Sequence, residues 1–167
     1  MASFSSLIGI NAQTETSNLA PYHVMFNFMF AHVVLSSRIA KQYMKIDHNV
    51  SPREDLSKHG ERAVAEGKMT QRQLNFLRRN EACHANSMEH FPVFASAAIF
   101  ATIAGVKNAH INGACAIYSA ARILYAVCYL TQEKFKYTYV RSLAWWVSNF
   151  ACLNLLWAAG KAINAVK

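Results

Sequence analysis

Apolar residues gather in four stretches, about Tyr22 to Ala40, Phe91 to Val106, Ala114 to Leu130 and Leu143 to Ala162, each near the length that crosses a bilayer as a helix. Polar side chains interrupt them at His23, Asn27, His32, Arg122, Asn149 and Asn154, so a soluble four-helix bundle remains the alternative reading. Turn and cap signals place helices at about 20–43, 70–105, 110–131 and 139–163, with a polar loop at about 44–69 that holds Pro52, Gly60 and Gly67. Asn18 and Pro21 can start the first helix, and Thr70-Gln-Arg-Gln-Leu74 opens the second. That second helix runs beyond the membrane surface and enters it near Glu89, where Pro92 can bend it. The expected fold class is all-α: an integral membrane four-helix bundle, with residues 1–167 as a single transmembrane domain.

Charge fixes the expected orientation. Nine Lys/Arg fall between Lys41 and Arg79, and the third connection adds Lys134, Lys136 and Arg141, whereas the first 21 residues carry none. The basic connections are therefore expected in the cytosol and both termini on the opposite side. A net charge of +8 then reflects topology and contact with anionic lipid, and without an aromatic-basic recognition module no nucleic-acid partner is expected. Three prolines and six glycines in 167 residues suit one helical unit. Cysteines 83, 115, 128 and 152 lie in or beside the apolar helices without Cys-x-x-Cys spacing. They are expected as buried free thiols, with no metal site and no disulfide framework.

Glu89 stands at the entrance of an apolar run, where an unpartnered carboxylate is costly. On a helix Arg79, Ala82, Asn86, Glu89 and Val93 share one side, and Arg122, Tyr125 and Tyr129 share another helix face. With Arg141 and Ser142 at the entrance of the last helix, these residues project near one depth of the bilayer. Arginine forks bind carboxylates, an amide accepts and donates, and tyrosine or serine hydroxyls can donate to a developing thiolate or oxyanion. A charged, peptide-like cofactor fits that inventory. The plainer readings are that Glu89 meets solvent or a structural arginine, or that it pairs with Arg122 between helices while the tyrosines anchor at the interface.

The run Cys83-His-Ala-Asn-Ser-Met-Glu-His-Phe-Pro92 resembles the second-helix signature of membrane-associated proteins in eicosanoid and glutathione metabolism, the MAPEG family. The resemblance extends to Arg122-Ile-Leu-Tyr125-Ala-Val-Cys-Tyr129, to Arg141-Ser-Leu-Ala-Trp145, to Arg38, and to the loop Pro52-Arg-Glu-Asp-Leu-Ser-Lys-His-Gly60. It points nearest to the microsomal prostaglandin E synthase and microsomal glutathione transferase branches. It implies a homotrimer in the endoplasmic-reticulum membrane, glutathione bound between subunits, and a lipophilic small-molecule substrate entering from the bilayer. It further implies that Arg38, Asn86, Glu89, Arg122, Tyr125 and Tyr129 line or support the glutathione site. Arg141 and Ser142 match the pair that stabilises the thiolate, with Lys136 as a competing cation.

Seven residues before the glutamate, where glutathione-using members keep an arginine, this chain has Ala82. Arg79, one turn earlier on nearly the same face, could reach forward to replace it. His84 and His90 introduce titratable groups nearby, and His90 could act as a general acid or base. Three functions follow. The first is a glutathione-dependent transferase or isomerase using Arg141, Ser142 and Tyr129. The second is a glutathione-independent isomerase or cyclase of a specialised biosynthetic pathway, using Glu89, His90 and Tyr125. The third is a non-catalytic lipid-binding scaffold.

Overall fold

The computed structural model describes residues 16–133 and 138–165. Helix α1 (Ala20–Met29) starts where Asn18 Oδ1 accepts the Ala20 N–H at 2.8 Å and Pro21 occupies the first turn. The apolar pattern predicts one helix from there to about residue 43. Instead α1 passes into a π-helical turn, Phe30–Val34, breaks, and resumes as α2, Arg38–Tyr43. No proline or glycine causes the break. Its support comes from another helix: Asn80 donates to the Leu35 carbonyl at 2.9 Å, and His84 Nδ1 meets the Ala31 carbonyl at 2.8 Å.

The segment read as a polar loop contains α3, Asp55–Ala65. Leu56, Gly60 and Ala63 are buried at helical spacing and cover Leu74 and Leu77, with Ile46 and Met69 completing a small core. Gly60 permits that approach, since a Cβ there would lie 2.6 Å from Leu74 Cδ1. Lys41 is buried beside it. Its ammonium meets Asp55 at 3.4 Å, Glu81 and the Pro52 carbonyl, joining α2 and α3 to the next helix.

Helix α4 (Gln71–Ile103) opens with a reciprocal cap, Gln73 N–H to Thr70 Oγ1 at 3.2 Å and Thr70 N–H to Gln73 Oε1 at 2.7 Å. It remains one helix through Pro92. Gly105, at φ 73°, ends it and lets the Val106 N–H reach the Ala101 carbonyl at 3.1 Å. Helices α5 (Asn108–Thr131) and α6 (Thr138–Ala165) complete a bundle in which α4, α5 and α6 all pack on one another.

The core at the Gly105 end is rich in small residues. Ala97, Ala98, Ala101, Ala114, Ala151 and Ala159 bring the helices close around Phe94, Ile111, Tyr118 and Leu155. Several polar residues within the helices find partners between helices, while His32 and Asn149 bond carbonyls one turn back on their own helices. His23 Nδ1 and Asn27 Nδ2 meet Ser119 Oγ at 2.9 and 2.8 Å, and His110 Nε2 lies 2.6 Å from Asn154 Oδ1. Asn112 takes the Leu19 N–H at 2.8 Å and donates to the Ser17 carbonyl at 2.9 Å. All four cysteines are buried and unbonded.

Large apolar side chains nevertheless cover the outside, among them Phe26, Met29, Ile99, Ile123, Phe150 and Leu153. Among the described residues one helix, α5, is long and apolar enough to cross a membrane by its own composition. Four near-spanning stretches are expected from sequence. The first is cut by the π-helical turn and the break after it. In α4 the polar half from Gln71 to Asn86 dilutes the apolar half, and in α6 Trp145, Trp146, Asn149 and Asn154 do the same.

Candidate functional site

Helical register on α5 puts Arg122, Tyr125 and Tyr129 on successive turns, and the first residues of α6 bring a second arginine to the same place. The Arg122 guanidinium lies over the Tyr125 ring, 4.3 Å from its centroid. Tyr125 and Tyr129 meet edge to face at 5.4 Å, and Arg141 covers Tyr129 at 4.5 Å. Four of the residues singled out in the sequence thus form one continuous ladder, arginine to tyrosine to tyrosine to arginine. Its inner end is buried at Arg122 and Tyr125, and its outer end is half-buried at Tyr129 and Arg141.

Arg122 does not pair with Glu89. It donates to Ser87 Oγ at 2.8 Å, one helical position after Asn86. Glu89 is exposed on the outer face of α4, and no cation or hydrogen-bond donor meets its carboxylate among the described residues. Asn86 is half-buried on the same side and donates back to the Ala82 carbonyl at 2.8 Å. An acid and an amide are therefore presented outward on a face of α4 that continues as exposed apolar side chains, Val93 and Phe100.

The remaining predicted residues lie elsewhere. Arg79 Nη2 reaches Glu133 at 3.5 Å, and Arg72 shares that carboxylate at 3.2 Å, so Arg79 is turned toward the end of α5. Arg38 is exposed and bonded to Asn49, with Asp47 at 3.7 Å. Ser142 is exposed, and its hydroxyl donates to the Thr138 carbonyl of its own helix at 3.3 Å. Lys136 lies outside the described residues. His84 holds the broken first helix, as described above, and is no part of the ladder.

His90 is the exception that moves inward. It is buried, its Nδ1 lies 3.1 Å from the Tyr118 hydroxyl, and its ring meets Trp145 of α6 edge-on at 6.3 Å. Phe94 stacks flat on Tyr118 at 3.8 Å. Ser87, Tyr118 and Trp145 were missed as site residues. A signal existed, because Ser87 and His90 are three apart on α4 while Tyr118 and Arg122 are four apart on α5, but only the packing shows that these stripes face each other. Among the described residues no group of three or more His, Cys, Asp or Glu is arranged to hold a metal.

Neither the curated proteins nor the solved structures gave a match. A comparison with protein families matched the MAPEG family over residues 21–161, which takes in every residue of the ladder and of the α4 stripe. The chain belongs to the MAPEG family, a family of membrane proteins.

Proposed function

We propose that this protein is a membrane-bound glutathione-dependent transferase or isomerase acting on a lipophilic small molecule. The observation that carries the reading is the ladder from Arg122 through Tyr125 and Tyr129 to Arg141. It keeps a guanidinium half-buried at the edge of an apolar bundle, poised on an aromatic face. A cation in that setting lowers the pKa of a nearby thiol more than one in water does.

The donor set suits glutathione in most respects. Glu89 offers an acceptor for its ammonium, Asn86 a donor and acceptor for its peptide groups, and Arg141 with the Tyr129 hydroxyl offers donors to sulfur. Arg122 supports the ladder from behind through Ser87 and Tyr125. Glutathione supplies the sulfur nucleophile. Arg141 holds its charged form, and the apolar exterior admits the lipophilic partner from the bilayer. The family resemblance implies a homotrimer, in which the outward-facing Glu89 and Asn86 would be completed by a neighbouring copy of the chain. The expected setting is the endoplasmic-reticulum membrane, with the basic end of the bundle in the cytosol and both termini on the other side.

Titration of the glutathione thiol by its ultraviolet absorbance tests the reading. The protein should lower the apparent thiol pKa, and Arg141→Ala should abolish the effect while Ser142→Ala leaves a part of it. A thiol that titrates as in water would refute it.

A second reading keeps the scaffold and drops the thiol. Ala82 removes one arginine from the outward face, and Arg79 is engaged with Glu133. Meanwhile His90 and Tyr118 form a buried pair suited to moving a proton on a hydrophobic intermediate. Turnover of a lipophilic substrate without any thiol, lost in His90→Phe, would favour this glutathione-independent isomerase or cyclase.

A further inference from the structure

Arg122 is 2% exposed, yet among the described residues no carboxylate pairs with it. Its Nη2 goes to a neutral serine, its face to a tyrosine ring, and its Nη1 is buried with no hydrogen-bond partner. A guanidinium buried in an apolar bundle without a counter-charge is costly, and far more so than a surface arginine. His90, 7% exposed, lies one turn along α4 from Ser87: its Nε2 is buried without a close hydrogen-bond partner, with the Asn149 side chain of α6 beside the ring. The tautomer in which Tyr118 donates to Nδ1 leaves Nε2 as an N–H donor. In that tautomer both groups are donors. They sit on facing stripes, Ser87 and His90 on α4 against Arg122 and Tyr118 on α5, with the Trp145 ring as a wall from α6.

We infer that Arg122 Nη1 and His90 Nε2 form an acceptor subsite inside a single protomer, which takes one compact anionic group. A halide or a single carboxylate has the right chemistry, since it supplies the missing counter-charge and accepts from both donors. A neutral water would satisfy the hydrogen bonds and leave the charge uncompensated. The subsite is separate from the outward-facing Glu89 and Asn86, and its occupancy does not depend on glutathione.

The test is thermal unfolding of the full chain in detergent, without glutathione and at constant ionic strength, as sodium gluconate is replaced by chloride, bromide, acetate or octanoate. Occupancy of the folded state alone raises the midpoint by about 3–5 °C for each tenfold rise in anion concentration above its dissociation constant. A rise with chloride, bromide and acetate identifies a free compact anion as occupant, and a rise with octanoate alone identifies the carboxylate of a lipophilic molecule. Either supports the subsite, provided Arg122→Gln abolishes the response. His90→Phe keeps the arginine and serves if the glutamine variant does not fold: it should weaken the response at least tenfold in concentration. An unchanged midpoint across all four anions, or an equal response in both variants, overturns the inference.

Discussion

Arg141, the cation proposed to hold the thiolate, and Asn112, which ties down the segment before α1, make opposite demands on the fold. Arg141 rests on Tyr129 at 4.5 Å and makes few other demands on the fold. Arg141→Ala should therefore lower glutathione-dependent turnover about 100-fold or more, the scale of losing one donor to a developing charge, with little change in unfolding temperature. Asn112 is its opposite. It sits at the far end of the bundle and holds two backbone groups of the segment leading into α1, so Asn112→Ala leaves the Leu19 N–H and Ser17 carbonyl without these partners. A loss of roughly 1–3 kcal/mol is expected, read by chemical unfolding in detergent, with thiol titration unchanged. The ladder residues were legible from spacing, because Arg122, Tyr125 and Tyr129 must share a helix face. The inward turn of His90 was not, because its partner Tyr118 lies on a helix that the sequence alone does not orient.

The elements most poorly signalled in the sequence are those held by contacts from elsewhere. Helix α3 is short and carries a glycine in its middle, so its pattern reads as a loop until Leu74 and Leu77 provide the surface it covers. The break after Val34 has no local breaker and depends on Asn80 and His84 of α4. Capping, by contrast, is local chemistry, and the Thr70 signal gave the start of α4. Lys41 joins three of these elements. Lys41→Met leaves Asp55 buried and Glu81 without their common cation, and should cost about 3–5 kcal/mol, seen as early loss of hydrogen-exchange protection in α2 and α3. Lys58→Met, which removes only the exposed pair with Glu54, should change stability by less than about 1 kcal/mol.

At the scale of the whole molecule, an all-helical bundle with apolar exterior residues such as Phe26, Ile99 and Leu153 belongs to a family of membrane proteins, and both features were readable from four apolar stretches and a charge bias. What the stretches concealed is how unequal they are: among the described residues α5 alone is long and apolar enough to span by its own composition, although it too carries the paired Asn112, Ser119 and Arg122. Glu89 is exposed and without a partner among the described residues, and it is the carboxylate proposed to receive the glutathione ammonium. Calorimetry of glutathione binding to the detergent-purified protein, with Ala82→Arg and Glu89→Gln alongside, decides whether it is. Saturable binding by the unmodified chain, strengthened by roughly 10-fold or more in Ala82→Arg and lost in Glu89→Gln, is the predicted result. No heat of binding in the unmodified chain, or binding indifferent to Glu89, would contradict the glutathione-dependent reading and leave the buried His90 and Tyr118 pair as the place to look for chemistry.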